Sequence, residues 1–206
     1  MEQRGRPRIS AESLEPMLRA TVELIARRGA ASVTMRDIAA VANVSVGRLQ
    51  HHFENRSKLV HKAQEWYLQS VVDDMAVIAA GSAGPWERLL DMCRYASHGG
   101  NRRQRVLVWI DLLAQSQRDA QVQLLVSEIN ARWCAVMEGI IAEGEAAGAF
   151  RPSLGVRETA ETLVLLVDGI DVAALTDPGS VALPDQRLVA AAEVLLGLQG
   201  TSPADS

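Results

Sequence analysis

Cysteine is scarce: Cys93 and Cys134 are the only two in 206 residues. Two thiols cannot build the disulfide framework of a small secreted domain, and neither sits in a Cys-x-x-Cys or Cys/His metal spacing. The chain is therefore expected to carry reduced cysteines, no metal and no cofactor. Long apolar runs are also missing, since stretches such as Leu163 to Val167 fall far short of the ~20 residues that cross a bilayer. No signal-peptide core opens the sequence, which predicts a cytoplasmic protein with no membrane partner. Phenylalanine and tyrosine together number four, and no run alternates apolar with polar residues, so strands are not expected. Internal repeats and heptad runs are absent. So are a His-Glu-x-x-His pair, a Gly-x-Ser-x-Gly elbow and a phosphate-cradling loop, and His51, His52 and His61 beside Glu54 make a poor catalytic cluster. No catalytic residue is assigned, and the chain does not read as an enzyme.

What is present is helical periodicity and an uneven charge. Residues 1–62 carry eleven Arg or Lys against six Asp or Glu, whereas residues 63–206 carry ten against nineteen, for a net charge of −4. A basic end on an acidic body attracts a polyanion at one place and repels it elsewhere. Apolar residues at helical spacing predict an all-α chain of about nine helices, at about 11–28, 35–41, 45–51, 56–80, 86–97, 102–117, 120–147, 156–176 and 185–199. Breaks such as Gly81-Ser82-Ala83-Gly84-Pro85 and Asp177-Pro178-Gly179 separate them. The expected organisation is a basic flexible arm over 1–10, a three-helix domain over 11–55, a larger helical bundle over 56–199, and a flexible tail over 200–206.

Residues 34–58 carry the chemistry. Thr34 stands as an N-cap with Asp37 three residues on, a capping box with a shortened acid. Asn43 sits at a tight turn that suits a left-handed backbone, and Ser45 caps the next helix. Ile38, Ala39, Ala42, Val44, Leu49 and Phe53 form the apolar set between these helices. Left outward are Val46, Gly47, Arg48, Gln50 and His51, able to meet base edges and phosphates. Arg48 has the fork that pairs with guanine and Gln50 the amide that pairs with adenine. Thr34, Met35, Arg36, Ser45, His52, Arg56 and Lys58 flank that surface, where hydroxyls, cations and helix amino ends suit phosphate. Ahead of them Arg4, Arg6 and Arg8 either enter a minor groove or remain a solvated tail.

The run Thr34-Met-Arg-Asp-Ile-Ala to Ala42-Asn-Val-Ser-Val-Gly-Arg-Leu-Gln-His-His-Phe-Glu-Asn-Arg-Ser-Lys-Leu59 resembles the amino-terminal domain of the TetR/AcrR family of bacterial transcriptional regulators. The likeness covers about residues 12–63. Weaker similarity over Trp109 to Asp119 and Leu166-Val-Asp-Gly169 points to the branch containing the choline-responsive repressor. The resemblance implies a homodimer that binds a palindromic double-stranded DNA operator through a helix-turn-helix DNA-binding domain over 11–55 and releases it for a small-molecule effector held by a ligand-binding and dimerisation domain over 56–199. It places Arg36, Val46, Gly47, Arg48, Gln50 and Arg56 near bases or phosphates. Asn43, Gln50 and Arg56 depart from the family's usual Gly, Tyr and Lys. The Tyr-to-Gln change replaces a phenol on phosphate with an amide that can read adenine.

In the carboxy-terminal part, Met92, Cys93, Trp109, Asp111, Leu113, Trp133, Met137 and Asp168 are the expected pocket. Asp111, Asp168 and Asp171 stand in apolar helical runs, where a carboxylate must be paired or solvated. They either hold a cationic effector against Trp109 or Trp133, or pair with Arg102, Arg105 or Arg132. Thr162, Leu166, Gly169, Ile170 and Ala173, with Leu188, Ala191, Ala192 and Leu195, share helical faces that make either a dimer bundle or intrachain packing. The reading is a dimeric, ligand-responsive repressor. The competing class is a ligand-binding or protein-interaction module with a vestigial DNA surface.

Overall fold

In a computed structural model the described residues are 14–98, 101–176 and 184–198, and among them regular structure is entirely helical. The arm, with Arg4, Arg6 and Arg8, and the tail lie outside the described residues. Helix α1 spans Glu15–Arg28, with Pro16 in its first turn, where its missing N–H removes no helical bond. Gly29 ends it at φ +74°, and a 3-10 turn follows over Ala30–Ser32, an element not expected from the sequence. Helix α2, Met35–Val41, opens with the foreseen capping box: Thr34 Oγ1 accepts the Asp37 N–H at 3.2 Å, and Thr34 N donates to the Asp37 carboxylate at 3.0 Å.

Asn43 takes the left-handed backbone at φ +53°, and Ser45 Oγ accepts the Arg48 N–H at 3.1 Å to start α3, Val46–Phe53. This helix runs two residues beyond the expected end because Phe53, one turn after Leu49, is drawn into the core with it. Glu54 then turns at φ +60°, and Asn55 caps α4, Arg56–Ala79, by accepting the Lys58 N–H at 3.0 Å. The remaining helices are α5 Pro85–His98, α6 Arg102–Ser116, α7 Ala120–Ala146, α8 Val156–Thr176 and α9 Pro184–Leu195.

Two apolar clusters form along this chain. The first joins α1, α2, α3 and the start of α4, and is closed by Val108 and Leu112 of α6 with Val122 and Ile129 of α7. The second gathers Met75 at the end of α4, Leu89 and Met92 of α5, Met137 to Ile141 of α7, and inward residues of α8 and α9. Helices α4 and α7 run through both clusters, so a displacement in one half is transmitted along rigid rods to the other. No described helix is long and apolar enough to cross a membrane.

Phe150 anchors the second cluster beyond α7, buried against Gly144 and edge-on to Trp86 with ring centroids 6.5 Å apart. A methyl group at Gly144 would lie 2.1 Å from the Phe150 ring, while one at Gly139, a little earlier in the same helix, would meet nothing within 4 Å. Overpacking of this kind typically costs about 1–3 kcal/mol. Gly144→Ala is therefore expected to lower the unfolding free energy by about that amount in urea titration, and Gly139→Ala, gaining helix propensity, to lower it not at all.

Candidate DNA-binding surface and effector cavity

The packing of α3 decides what its surface can offer. With Leu49 and Phe53 buried, Gly47, Arg48, Gln50 and His51 are left exposed, while Val46 and His52 are half-buried. Arg48 and Arg36 carry no ion-pair partner among the described residues, so both cations are free to meet another charge. Thr34 and Arg36 stand exposed at the start of α2; Met35 is turned partly inward against the first cluster and offers less surface than expected. Burial first, then the charges of His51 and Arg48, hold His52 below the ordinary imidazole value, making it a neutral hydrogen-bonding group at pH 7. Lys58 is exposed and pairs at 2.5 Å with Glu54, one turn earlier, a surface contact worth well under 1 kcal/mol that a phosphate can replace.

Arg56 departs from the expected phosphate contact. Its guanidinium is turned inward, with Nε donating to the Val33 carbonyl and Nη2 to the Ala30 carbonyl. From the other side, the Asp111 carboxylate of α6 accepts the Ala30 N–H at 3.2 Å and the Gln115 Nε2 at 2.7 Å. The turn after α1 is thus gripped by α4 and α6 together. Gly29 fits this clamp twice over, because its φ is positive and a Cβ there would lie 3.2 Å from Asp111 Oδ1. Burial raises the Asp111 pKa, and the two hydrogen bonds pull it partly back.

Asp111 is accordingly not a wall of the cavity that gathers the other expected pocket acids. That cavity, about 40 Å3, lies between α4, α6, α7 and α8 and is lined by Leu68, Val71, Val106, Trp109, Ile129 and Trp133, with Asp168 and Asp171 as its acids. Of the eight expected pocket residues, Trp109, Trp133 and Asp168 meet there. Met92, Cys93 and Met137 are buried in the second cluster instead, since that face of α5 turns toward α7 and α9, and Met137 lies one turn past the cavity. Leu113 points outward. Burial pushes the Cys93 thiol up to about 12, which leaves it an inert core residue.

The cavity's charged groups are unequally satisfied. Asp171 is paired with Arg102 at 2.8 Å, and Arg105 is engaged by the Ala96 carbonyl and by the Tyr95 ring at 5.2 Å. Asp168 has no cationic partner among the described residues. Burial raises its pKa, and the indole N–H of Trp109 pulls it partly back; that N–H is buried without a hydrogen bond of normal geometry. The cavity thus combines two indoles, an already engaged Arg105 and one acid without an ion-pair partner among the described residues. Sequence reasoning found the trio of indoles and acid and offered Arg102 and Arg105 as partners for the acids, but missed the α4 wall of Leu68 and Val71, which comes from a distant segment.

The expected dimer residues divide by depth. Leu188 and Ala192 are fully buried within the chain, a correction that follows from α9 packing this face on α5 and α8. Thr162, Leu166, Ile170, Ala173, Ala191 and Leu195 are half-buried, and Gly169 is exposed. The fully outward apolar residues stand one helical position away: Leu165 at 69% exposure, Val172 at 45% and Val194 at 52%.

Comparison with known proteins agrees with this geometry. Residues 17–63 match the bacterial regulatory proteins of the tetR family, and residues 85–198, more than half of the chain, match the C-terminal domain of BetI-type transcriptional repressors. The helix-turn-helix surface and these matches define a DNA-binding regulator of transcription, which is not an enzyme. The chain belongs to the TetR family, with a BetI-type carboxy-terminal domain. It is similar to the transcriptional repressor KstR2 of Mycolicibacterium smegmatis, 26% identical over 73% of each chain. It also resembles BetI of Rhizobium meliloti, at 24% identity over 58% of this chain and 61% of the other. Among solved structures, a TetR-family regulator from Rhodococcus superposes with a TM-score of 0.75 at 25% identity, covering 90% of this chain and 99% of that one. A Saccharomonospora viridis regulator in complex with choline shares the fold with a TM-score of 0.78 at 22% identity, covering 92% and 98%.

The two arginines should separate in DNA binding. Arg36→Ala is expected to reduce the slope of log affinity against log salt by about one ion, because a free cation meets phosphate. Arg56→Ala should leave that slope unchanged and lower stability by about 1–3 kcal/mol, read by denaturant titration, because it orphans the Val33 carbonyl and leaves the Ala30 carbonyl only its bond from the Val33 N–H. A lower salt slope for the Arg56 variant would restore it to the phosphate surface.

Proposed function

We propose that the chain acts as a homodimer that represses from a palindromic operator and lets go when a small cationic molecule enters the α4–α6–α7–α8 cavity. The observation that carries this reading is Asp168, a half-buried acid that has no counter-ion among the described residues and shares a mostly apolar cavity with Trp109 and Trp133, where the other charged groups, Asp171 and Arg105, are already engaged. A carboxylate beside aromatic faces attracts a quaternary ammonium by charge and by cation–π contact, each more effective out of water. The choline held by the Saccharomonospora viridis relative supports this class. The Bacillus subtilis FadR, which shares the fold and was solved with stearoyl-CoA, points to another; an anionic ligand would be repelled by Asp168.

The small size of the cavity supplies the mechanism. About 40 Å3 holds a few waters, so a cation of choline's size enters only by spreading the helices around it. Trp109 lines the cavity from α6, and two residues later Asp111 grips the turn after α1; Leu68 lines it from α4, whose first residue Arg56 grips the same turn. Spreading α4 from α6 therefore strains both holds on the DNA-binding helices. A coupling of about 1–3 kcal/mol would weaken operator binding 5- to 150-fold. For the dimer, the outward stripe Leu165, Gly169 and Val172 on α8 with Val194 on α9 is the proposed shared face, and open space over Gly169 admits close approach. Such a dimer sets two α3 helices on successive major grooves, about 34–36 Å apart.

Selection of bound sequences from a random DNA pool is expected to return an inverted repeat with half-sites one helical turn apart; a single unrepeated site would refute the dimeric arrangement. Calorimetry tests the effector class. Choline should bind at least tenfold tighter than the neutral 3,3-dimethylbutanol, and Asp168→Asn should abolish that preference. Because burial raises the Asp168 pKa above 3.8 and only the ionised acid holds a cation, choline affinity should fall on acidification at a higher pH than for an ordinary carboxylate. Equal binding of both probes would overturn the cationic reading.

A further inference from the structure

A second cleft, about 270 Å3, opens where the DNA-binding helices meet the effector half, between the turn after α1, the start of α4, the end of α6 and the start of α7. Its wall includes Arg56, His61, Gln64, Asp111, Arg118 and Asp119. We infer that this cleft is a binding site for a small oxyanion, a carboxylate or a phosphate group, separate from the effector cavity.

The argument rests on which polar groups of the wall are already satisfied. Both carboxylates are engaged by the protein itself. Asp111 accepts the Ala30 N–H and the Gln115 amide, and Asp119 accepts the N–H groups of Gln121 at 2.9 Å and Val122 at 3.4 Å in capping α7. The donors are not. Gln64 is 1% exposed, yet its Nε2 has no hydrogen-bond partner. Burying such a donor unpaired is costly, so this side chain is placed for an acceptor the protein does not provide. The Arg118 guanidinium and the His61 imidazole, on either side of the cleft, likewise find no acceptor among the described residues.

A single water would satisfy Gln64 but leave the exposed Arg118 and half-buried His61 to bulk solvent, with neither charge used. A group with two or three oxygens on one centre answers all three, with the Arg56 guanidinium and the amino end of the 27-residue α7 adding positive potential. Asp111 and Asp119 oppose an anion, which selects a small, singly centred one. Its position gives it a role. It would bridge α4 of the DNA-binding half to the α6–α7 corner of the effector half, bracing the clamp on the Ala30 turn. Occupancy is then expected to favour the DNA-binding arrangement.

Titration calorimetry on the full-length protein without DNA or cation tests this apart from the proposed function. Inorganic phosphate and acetate are the two probes, with ionic strength held constant by chloride. At least one is expected to give a saturable isotherm with one site per chain, and Gln64→Leu and Arg118→Ala should each weaken it at least tenfold. Gln64→Leu removes an unpaired buried donor, so its melting temperature should not fall below that of the wild type, which separates loss of the site from loss of the fold. No saturable heat with either probe, or variants that bind like the wild type, would overturn the inference.

Discussion

The backbone between Gly29 and Val33 passes from one helix to the next with Ala31 and Ser32 exposed but Ala30 and Val33 buried beneath α4 and α6. Within the turn the Val33 N–H reaches only the Ala30 carbonyl, at 3.3 Å, which leaves the buried Ala30 N–H and Val33 carbonyl without a backbone partner. Two side chains from far along the chain answer them. Arg56 donates to both carbonyls and Asp111 accepts the Ala30 N–H, so a five-residue connection holds together three elements that apolar contact alone would leave free to slide. Hydrogen bonds to charged groups are directional and among the stronger ones in proteins. That directionality fixes the orientation of α1 relative to α4 and α6, and the recognition helix rides on that orientation.

Much of the DNA-binding end was legible in the sequence because its signals are local. A capping box spans three residues, the left-handed Asn43 sits within one turn, and Ser45 reaches the N–H three positions ahead; each is written in adjacent side chains and each formed as read. The position of the charges was legible too. Their engagement was not. Arg56 and Asp111 look like a surface cation and a pocket acid until the chain folds, because the groups they bind lie 26 and 81 residues away. A backbone carbonyl leaves no mark in sequence on the residue that will seek it.

The carboxy-terminal half shows a different limit. Periodicity found every helix, yet α8 has apolar residues around most of its circumference, and such a helix has no phase that tells an inward face from an outward one. The anticipated shared face on α8 lies half-buried beside the outward Leu165 and Val172, and on α9 it includes Leu188 and Ala192, which pack inward. The cavity trio was found because acids and indoles are rare enough in such helices to mark themselves. Its aliphatic wall was not, since leucine and valine on α4 read equally as core.

The clamp also bears on how such a protein diversifies. Arg56 and Asp111 hold main-chain atoms, and no side chain of the turn between Gly29 and Val33 takes part in either hold. The exposed residues of α3 lie on a helix that the clamp does not touch. The join is thus indifferent to both the base-reading alphabet on one side and the cavity lining on the other. A recognition segment from a relative can be exchanged for this one without redesigning the hinge, provided the glycine and the path of the turn are retained. Operator choice and effector choice are free to evolve as separate characters.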